Sequence, residues 1–240
     1  MKILAIETAT QMGSVALLEE YDHTLQILAQ SALRAHQSHS RYLLPAVDGI
    51  LSQSGVEVSQ IEAFAVSTGP GSFTGLRVGL STAKAFGSVL NKGVMGVSTL
   101  EAMGLAAALH SGLICAVLNA GQRELYAAVF QAQDARITMQ WLKDTIVSPP
   151  ALLEFLYACW KQADTNLPVL VLGDILTEHQ KLFEKTDFCQ WAPHHLSFPQ
   201  AAFVGHIAIQ KIKEGKSMRS SELMPHYIRL PYAEAHRLTP

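Results

Sequence analysis

Hydrophobic and polar positions along the chain follow strand-like and helix-like spacings, and the order of these segments repeats. The first part predicts three short strands at 2–8, 14–18 and 25–32, a helix over 43–51, a strand over 61–67, a helix after Thr74, a strand over 93–97 and a helix over 98–109. The second part predicts strands at 113–118, 125–130 and 137–142, a helix over 149–161, a strand over 169–172, and helices over 175–183 and 199–213. Twice, three strands lead into alternating helices and strands, which predicts two related α/β lobes.

The repeated order divides the chain into three parts. We predict a first α/β lobe over residues 1–109 and a second, smaller lobe over 110–220. The helix at about 199–214 closes the second lobe, and its packing back on the first lobe stays open. Residues 221–240 have no clear hydrophobic period and are predicted as an irregular tail. The order of elements repeats, but the residues themselves show no repeat.

Composition narrows the class of protein. Of the 240 residues, 49% are hydrophobic and 16% charged, which supports a buried core and argues against disorder. No uninterrupted apolar run reaches the ~18 residues of a membrane helix, so we expect no membrane contact. The three cysteines form no CxxC pair, and their odd number is typical of a reducing compartment. We therefore expect a cytoplasmic protein.

Charge gives only a weak signal for nucleic acid. The net charge of −2 provides no overall attraction to it. Residues 205–240 nevertheless carry six Lys and Arg against three Asp and Glu, and include Lys211, Lys213, Lys216 and Arg219. A solvated helix end is the favoured interpretation, and a patch that faces nucleic acid is the alternative.

The most informative stretch follows the fourth predicted strand. Gly69, Gly71 and Gly75 permit positive φ, whereas Pro70 fixes its own φ and lacks an N–H donor. Thr74 is a good N-cap, so the stretch predicts a strand, a glycine-rich turn and a helix. Backbone N–H groups at such a helix start can bind an anion. The turn is not a Walker loop, because no Lys-Ser/Thr follows the last glycine, and a plain tight turn remains the alternative.

Small residues recur every fourth position along the next helix and line one face: Gly75, Gly79, Ala83 and Gly87. Each interior glycine costs ~1 kcal/mol relative to alanine, so close packing on this face should compensate. A smooth face lets another helix approach closely. That helix belongs either to this chain or to a partner.

A family resemblance rests on this stretch. The run Gly-Pro-Gly-Ser-Phe-Thr-Gly-Leu-Arg-Val-Gly at 69–79, continuing to Ala83-Lys84, resembles the signature of the TsaB family, also called YeaZ. Three flanking segments are similar to the family as well: Ile6-Glu7-Thr8-Ala9-Thr10, His39-Ser40 with Leu43-Leu44-Pro45, and Pro225-x-Tyr227-x-Arg229. The resemblance spans nearly the whole chain, although residues 130–220 carry little of it. It implies an α/β fold of two ribonuclease H-like lobes, as in actin, sugar kinases and chaperone ATPases.

The resemblance also implies a function. Members are partners of the TsaD transferase, which forms N6-threonylcarbamoyladenosine beside the anticodon of tRNAs that read codons beginning with A. The chain would then be a non-catalytic scaffold, a homodimer when alone, in contact with a TsaE-like ATPase through the complex and with tRNA only indirectly. We expect the interface on the helix at 43–51 and on the smooth helix face, at Leu43, Leu44, Val47, Ile50, Leu51, Gly75, Arg77, Gly79, Ala83, Lys84 and Gly87.

Nucleotide binding stays open. In kinase-like members of this fold, acidic residues and hydroxyls at two strand turns face the phosphates and Mg²⁺. The tentative anion-binding positions in the first lobe are Glu7, Thr8, Gly69, Gly71, Ser72 and Thr74. The second turn offers Asn119, whose uncharged side chain is a poorer ligand for a hard cation. We expect no cofactor on the chain alone and leave open ATP or ADP at the partner junction. The alternative is a free-standing ATP-dependent phosphotransferase of the sugar-kinase type.

A catalytic metal site is not expected. In TsaD, which resembles this chain, a His-x-x-x-His pair on one helix face binds the metal. The matching positions here are Thr99 and Met103, so the resemblance implies neither a metal site nor catalytic residues. Two other histidine pairs are weaker candidates, with surface or packing roles favoured: His36 with His39, and His194 with His195.

Overall fold

Two five-stranded mixed sheets frame the protein in the computed structural model, which describes residues 1–34, 39–163, 165–216 and 223–229. The strands are β1 Lys2–Glu7, β2 Met12–Tyr21, β3 Thr24–Arg34, β4 Ala63–Gly69, β5 Gly93–Ser98, β6 Leu113–Gly121, β7 Glu124–Gln133, β8 Arg136–Val147, β9 Val169–Asp174 and β10 Cys189–Trp191. The helices are α1 Leu43–Ser54, α2 Phe73–Val89, α3 Thr99–Ala106, α4 Pro149–Gln162, α5 Thr177–Glu184 and α6 Ala201–Lys213. Across these described ranges, every helix is too short or too polar to cross a membrane.

Both sheets have the same topology. The first has the order β3-β2-β1-β4-β5, in which β1, β2 and β3 are antiparallel neighbours while β4 and β5 run parallel to β1. The second has the equivalent order β8-β7-β6-β9-β10 with the same directions. This is the strand order of a ribonuclease H-like lobe, so the predicted fold class is confirmed. Asp22 and His23 turn β2 into β3 with φ of 47° and 60°, the backbone of a type I′ hairpin turn.

The first compact unit comprises Met1–Ala102 with Pro199–His226. Helices α1 and α2 cover one face of its sheet, and their apolar side chains pack on buried strand residues such as Ile6, Val15 and Phe64. Helix α6 covers the opposite face. A Cβ on Gly205 of α6 would lie 2.4 Å from Leu18 Cδ1, so this glycine lets the helix backbone come close to β2.

The second compact unit begins at Met103, within α3, and runs to Phe198; residues 227–229 also belong to it. Helices α4 and α5 pack on one face of its sheet through Leu152, Leu156 and Phe183. Gly104 of α3 lies against the ring of Phe130, where a Cβ would come within 2.6 Å of a ring carbon. Each unit therefore has its own layered α/β core.

The units differ in extent from the predicted lobes. The division falls between residues 102 and 103, and α6 belongs to the first unit, although its place in the sequence follows the second. Its buried residues, among them Ala201 and Val204, supply the apolar layer that the first sheet needs on that face. Of the predicted tail, residues 223–229 are described and Leu223 is buried, whereas 221–222 and 230–240 lie outside the described residues.

Candidate functional site

The carboxyl ends of two parallel strands meet in the first unit. Glu7 is the last residue of β1, and Ser67 lies near the end of the neighbouring β4. Open α/β sheets bind ligands outside the carboxyl ends of their strands, where the strand order reverses. The glycine-rich turn between β4 and α2 lies at this edge, so the predicted anion-binding positions do come from neighbouring elements.

Glu7 is fully buried, and both of its carboxyl oxygens have partners within the protein. Oε2 accepts a hydrogen bond from the Ser67 hydroxyl, and Oε1 accepts one from the Ala9 N–H. Burial raises the pKa of Glu7 from 4.5 to about 7, while the hydrogen bonds from Ser67 and Ala9 act in the opposite direction. The group is thus a buried acid that ties two strands together.

The turn before α2 packs directly on the end of β1. The Ser72 N–H donates to the Ala9 carbonyl at 2.7 Å, and the Thr8 hydroxyl donates to the Gly75 carbonyl at 2.8 Å. A Cβ on Gly71 would lie 2.4 Å from the Ala9 carbonyl oxygen, so only glycine fits there. Four of the predicted positions, Thr8, Gly71 and Ser72 with the adjacent Glu7, therefore form one tight junction. Anion binding at this junction stays a prediction.

Ser72, rather than Thr74, caps helix α2. The Ser72 hydroxyl accepts a hydrogen bond from the Gly75 N–H at 3.2 Å, whereas Thr74 lies exposed in the first turn. The prediction of Thr74 as the cap is therefore wrong. Both residues suit a cap, and the sequence alone does not show where the turn ends.

His39 has a packing role. Its Nε2 donates to the Thr10 carbonyl at 2.8 Å, which leaves Nδ1 to accept from the Tyr42 hydroxyl. Burial lowers the pKa of His39, which favours this neutral form. His36, its predicted companion, lies outside the described residues. The ring of His194 packs edge to face on Phe198.

Metal ligation finds no support in the side-chain arrangement. Within residues 1–34, 39–163, 165–216 and 223–229, no group of three or more His, Cys, Asp and Glu side chains could hold an ion. Thr99 and Met103, the positions that match the TsaD histidine pair, are each fully buried. In the second unit, Asn119 Oδ1 accepts a hydrogen bond from the Gly121 N–H at 2.9 Å, so this side chain closes its own turn.

The predicted interface needs a correction at seven positions, because their side chains or α-carbons face the protein's own core: Leu43, Val47, Ile50, Gly75, Gly79, Ala83 and Gly87. A Cβ on Gly79 would lie 2.3 Å from the Thr8 hydroxyl and 3.4 Å from Val66. The element that approaches the smooth face is thus a pair of strands of the same sheet, not a helix. Interior glycines are tolerated here because they bring α2 close to β1 and β4.

Four predicted interface residues are exposed or only partly buried, and Leu51 among them also packs against the core of the first unit. Leu44 is 54% exposed, and Arg77 is exposed with its guanidinium 3.7 Å from the centre of the Phe73 ring. Leu51 and Lys84 are half-buried. We call Leu44, Leu51, Arg77 and Lys84 the α1–α2 outer face.

The lysines near the end of α6 have carboxylate partners. Lys211 pairs with Glu101 at 2.7 Å, and Lys213 pairs with Glu20. Lys216 pairs with Glu214 at 2.8 Å. Arg219 lies outside the described residues. This pairing favours a solvated helix end over a surface for nucleic acid, because the positive charges are already matched.

Sequence reasoning missed Ser67, Tyr42 and the segment around Leu223 and His226. A serine within a strand carries no periodic signal, and its importance comes only from the glutamate on the next strand. Tyr42 lies three residues after His39, a spacing that could have suggested their contact. His226 is part of a motif that the sequence flagged without a role, and its N–H donates to the Thr68 carbonyl at 2.7 Å.

Fold and site together define a two-lobed α/β protein of the ribonuclease H-like type, with a glycine-rich turn packed on the end of β1. The solved structure of YeaZ from Pseudomonas aeruginosa has the same fold, with a TM-score of 0.74 at 20% identity over 94% of this chain and 99% of that one. Residues 32–236 match the family model described as TsaD: tRNA N6-adenosine threonylcarbamoyltransferase.

The extent of the matches distinguishes the TsaB family from the family of the threonylcarbamoyltransferase. The tRNA threonylcarbamoyladenosine biosynthesis protein TsaB of Bacillus subtilis is 30% identical over 98% of this chain and 97% of its own length. The TsaB of Haemophilus influenzae is 37% identical over 95% and 94%. The tRNA N6-adenosine threonylcarbamoyltransferase of Anaeromyxobacter dehalogenans is 31% identical over only 53% of this chain and 43% of its own. The chain belongs to the TsaB (YeaZ) family, as its sequence motifs predicted.

Proposed function

We propose that this chain acts in the formation of N6-threonylcarbamoyladenosine in tRNA as the non-catalytic partner of a TsaD-like transferase. The observation that carries the proposal is its similarity to TsaB proteins over nearly the whole of both chains. The arrangement of polar groups supports a role without catalysis. Glu7 has both oxygens engaged, Asn119 closes its own turn, and Thr99 and Met103 are buried side chains that cannot replace a histidine pair.

The complex that we propose assembles on the α1–α2 outer face. Leucine side chains on α1 and cations on α2 form a mixed apolar and basic surface, which suits a protein partner. The same surface would hold the homodimer when the partner is absent. A TsaE-like ATPase would act through the complex, with ATP or ADP at the partner junction, and the tRNA would contact the transferase rather than this chain. These steps belong to the cytoplasm, where tRNA is modified.

Depletion of the chain tests the proposed function. If the chain is a required scaffold, its loss should lower threonylcarbamoyladenosine in bulk tRNA, as measured by mass spectrometry of nucleosides. Expression of the wild-type chain should restore the modification. Unchanged levels after verified depletion, in a cell without a backup system, would refute the proposal.

A surface variant tests the proposed interface. Leu44→Asp places a charge on the α1–α2 outer face and should weaken binding to the TsaD-like partner by tenfold or more, about 1.4 kcal/mol. Met139→Asp is the matched control, because Met139 of β8 is 56% exposed and Leu44 is 54% exposed. Both variants should keep the wild-type melting temperature. Equal binding by the two variants would move the interface away from α1.

The alternative phosphotransferase predicts ATP turnover by the purified chain alone with Mg²⁺. We expect no turnover, because the carboxyl group of Glu7 points into the protein and is hydrogen bonded there. If the chain turns over ATP and Glu7→Gln abolishes that turnover, the chain is an enzyme rather than a scaffold.

A further inference from the structure

The structure assigns a role to the irregular segment at residues 223–226, which we call the 223–226 strap. Leu223 is fully buried in the same apolar cluster as Leu76, Leu80 and Ala83 of α2. The strap therefore contributes to the core between α2 and its sheet, even though it follows α6 in the sequence. Met224, the next residue, is 69% exposed.

Two glycines make room for the strap. A Cβ on Gly96 of β5 would lie 2.8 Å from Leu223 Cδ1, so Leu223 occupies the space above this strand. A Cβ on Gly69 would lie 2.8 Å from the His226 carbonyl oxygen. The His226 N–H donates to the Thr68 carbonyl at 2.7 Å. The strap is thus fixed both by its side chain and by its backbone.

The strap and helix α2 both contact the turn that begins at Gly69. Gly69 begins the turn that leads into α2, and Leu76 Cδ1 of α2 lies 3.3 Å from the position of a Cβ on Gly69. On the side of β1, Ser72 and Gly75 are fixed by hydrogen bonds to Ala9 and Thr8. The turn that leads into α2 is thus held on one side by hydrogen bonds to residues 8 and 9, and at Thr68 and Gly69 by the strap.

We propose that the 223–226 strap is a positioning element, which fixes the start of α2 and thereby sets the α1–α2 outer face for the TsaD-like partner. This inference rests on the proposed function for its partner, but not for its effect on α2. Loss of the Leu223 side chain leaves a cavity beside α2 that neighbouring groups fill only in part. The N-terminal turns of helix α2 then become more mobile, while the mobility of elements that do not touch the strap stays unchanged.

Amide hydrogen exchange tests the effect on α2 in the full chain without any partner. Leu223→Ala should speed exchange in the first two turns of α2, whereas amides of α6 and of the second unit keep wild-type rates. Leu223→Met, which conserves volume, should restore protection, and Met224→Ala is the control within the strap. A uniform increase over the whole chain, or unchanged exchange in α2, would overturn the inference. If Leu223→Ala does not fold, Leu223→Val takes its place.

Calorimetric titration with the TsaD-like partner tests the consequence for binding, at a temperature where circular dichroism shows each variant fully folded. Leu223→Ala should raise Kd about tenfold, with Leu223→Met and Met224→Ala close to wild type. A merely structural strap would lower the melting temperature and leave the Kd of the folded protein unchanged, which would overturn the inference. If the wild-type chain does not bind the partner, the proposed function fails, and the exchange experiment still decides whether the strap fixes α2.

Discussion

The hydroxyl group of Ser67 donates a hydrogen bond to the fully buried carboxyl group of Glu7, and this bond joins the ends of two parallel strands. The Ala9 N–H donates to the other carboxyl oxygen. A buried acid with two donors keeps its place in either protonation state, but burial makes its charged form costly. The junction below the glycine-rich turn is therefore sensitive to pH.

The first prediction concerns this sensitivity. The pKa of Glu7 is about 7 in the folded protein, against 4.5 for a glutamate side chain in water, so the folded chain binds more protons than the unfolded chain between these values. The contribution of Glu7 to the free energy of unfolding is fully present below pH 4.5 and falls as pH rises towards 7. The full difference is about 3 kcal/mol. Glu7→Gln should flatten this part of the pH dependence, as measured by urea unfolding at each pH.

Glu154→Gln is the control for that experiment, because Glu154 lies exposed on α4 of the second unit. It should leave the pH dependence as in the wild type. If Glu7→Gln shows the wild-type slope between pH 4.5 and 7, another group carries the linkage.

The second prediction concerns the smooth face of α2. Gly79→Ala raises helix propensity by up to ~1 kcal/mol, but its Cβ would lie 2.3 Å from the Thr8 hydroxyl. Overpacking costs ~1–3 kcal/mol and outweighs the gain in helix propensity, so we expect a net loss of up to about 2 kcal/mol in the free energy of unfolding. Gly49→Ala in α1 has no atom within 4 Å of the new Cβ and should be neutral or stabilising. Denaturant unfolding of both variants compares them, and a stabilised Gly79→Ala would contradict the close approach to β1.

The third prediction separates the two candidate caps of α2. Ser72→Ala removes the hydroxyl that accepts from the Gly75 N–H and should cost about 1 kcal/mol in the free energy of unfolding. Thr74→Ala changes an exposed side chain and should stay within about 0.5 kcal/mol. Urea unfolding curves of the two single variants provide the measurement. A larger loss for Thr74→Ala would restore the cap that the sequence predicted.

The fourth prediction concerns metal content. With Thr99 and Met103 buried at the positions of the TsaD histidine pair, the purified chain should hold no stoichiometric transition metal. Elemental analysis after native purification measures this. About one iron or zinc per chain would contradict the prediction and direct attention to the two histidine pairs, His36 with His39 and His194 with His195.

The hydrophobic pattern alone predicted most elements of both sheets, because strands and helices bury residues with different periods. It did not predict the three-residue strand β10, which is too short to show a period. It listed α6 at the end of the second lobe and left open that the helix packs on the first, because an apolar helix face does not reveal which sheet it covers. Only the contact of α6 with β1 and β2 decides this, and those strands lie almost two hundred residues earlier.

The site was predicted in part for a similar reason. The sequence named Glu7, Thr8, Gly71 and Ser72 as tentative anion-binding positions; the structure packs these residues into one junction, while anion binding there stays a prediction. Spacing also showed that Gly75, Gly79, Ala83 and Gly87 share a helix face, but a shared face does not identify its neighbour. The Thr8 hydroxyl beside Gly79 shows that the neighbour is the chain's own sheet.

The discontinuous first unit has a consequence for synthesis on the ribosome. Its sheet is complete in sequence at Ser98, but α6 and the 223–226 strap emerge more than a hundred residues later. Translation adds about 5–20 residues per second, so helix α6 is synthesised on the order of 5–25 s after the sheet face that contains Ala5 and Leu18. The Ala201 N–H then closes on Ser14, 187 positions earlier in the chain, at 2.9 Å. During this interval the nascent chain exposes an apolar sheet face that a chaperone can shield.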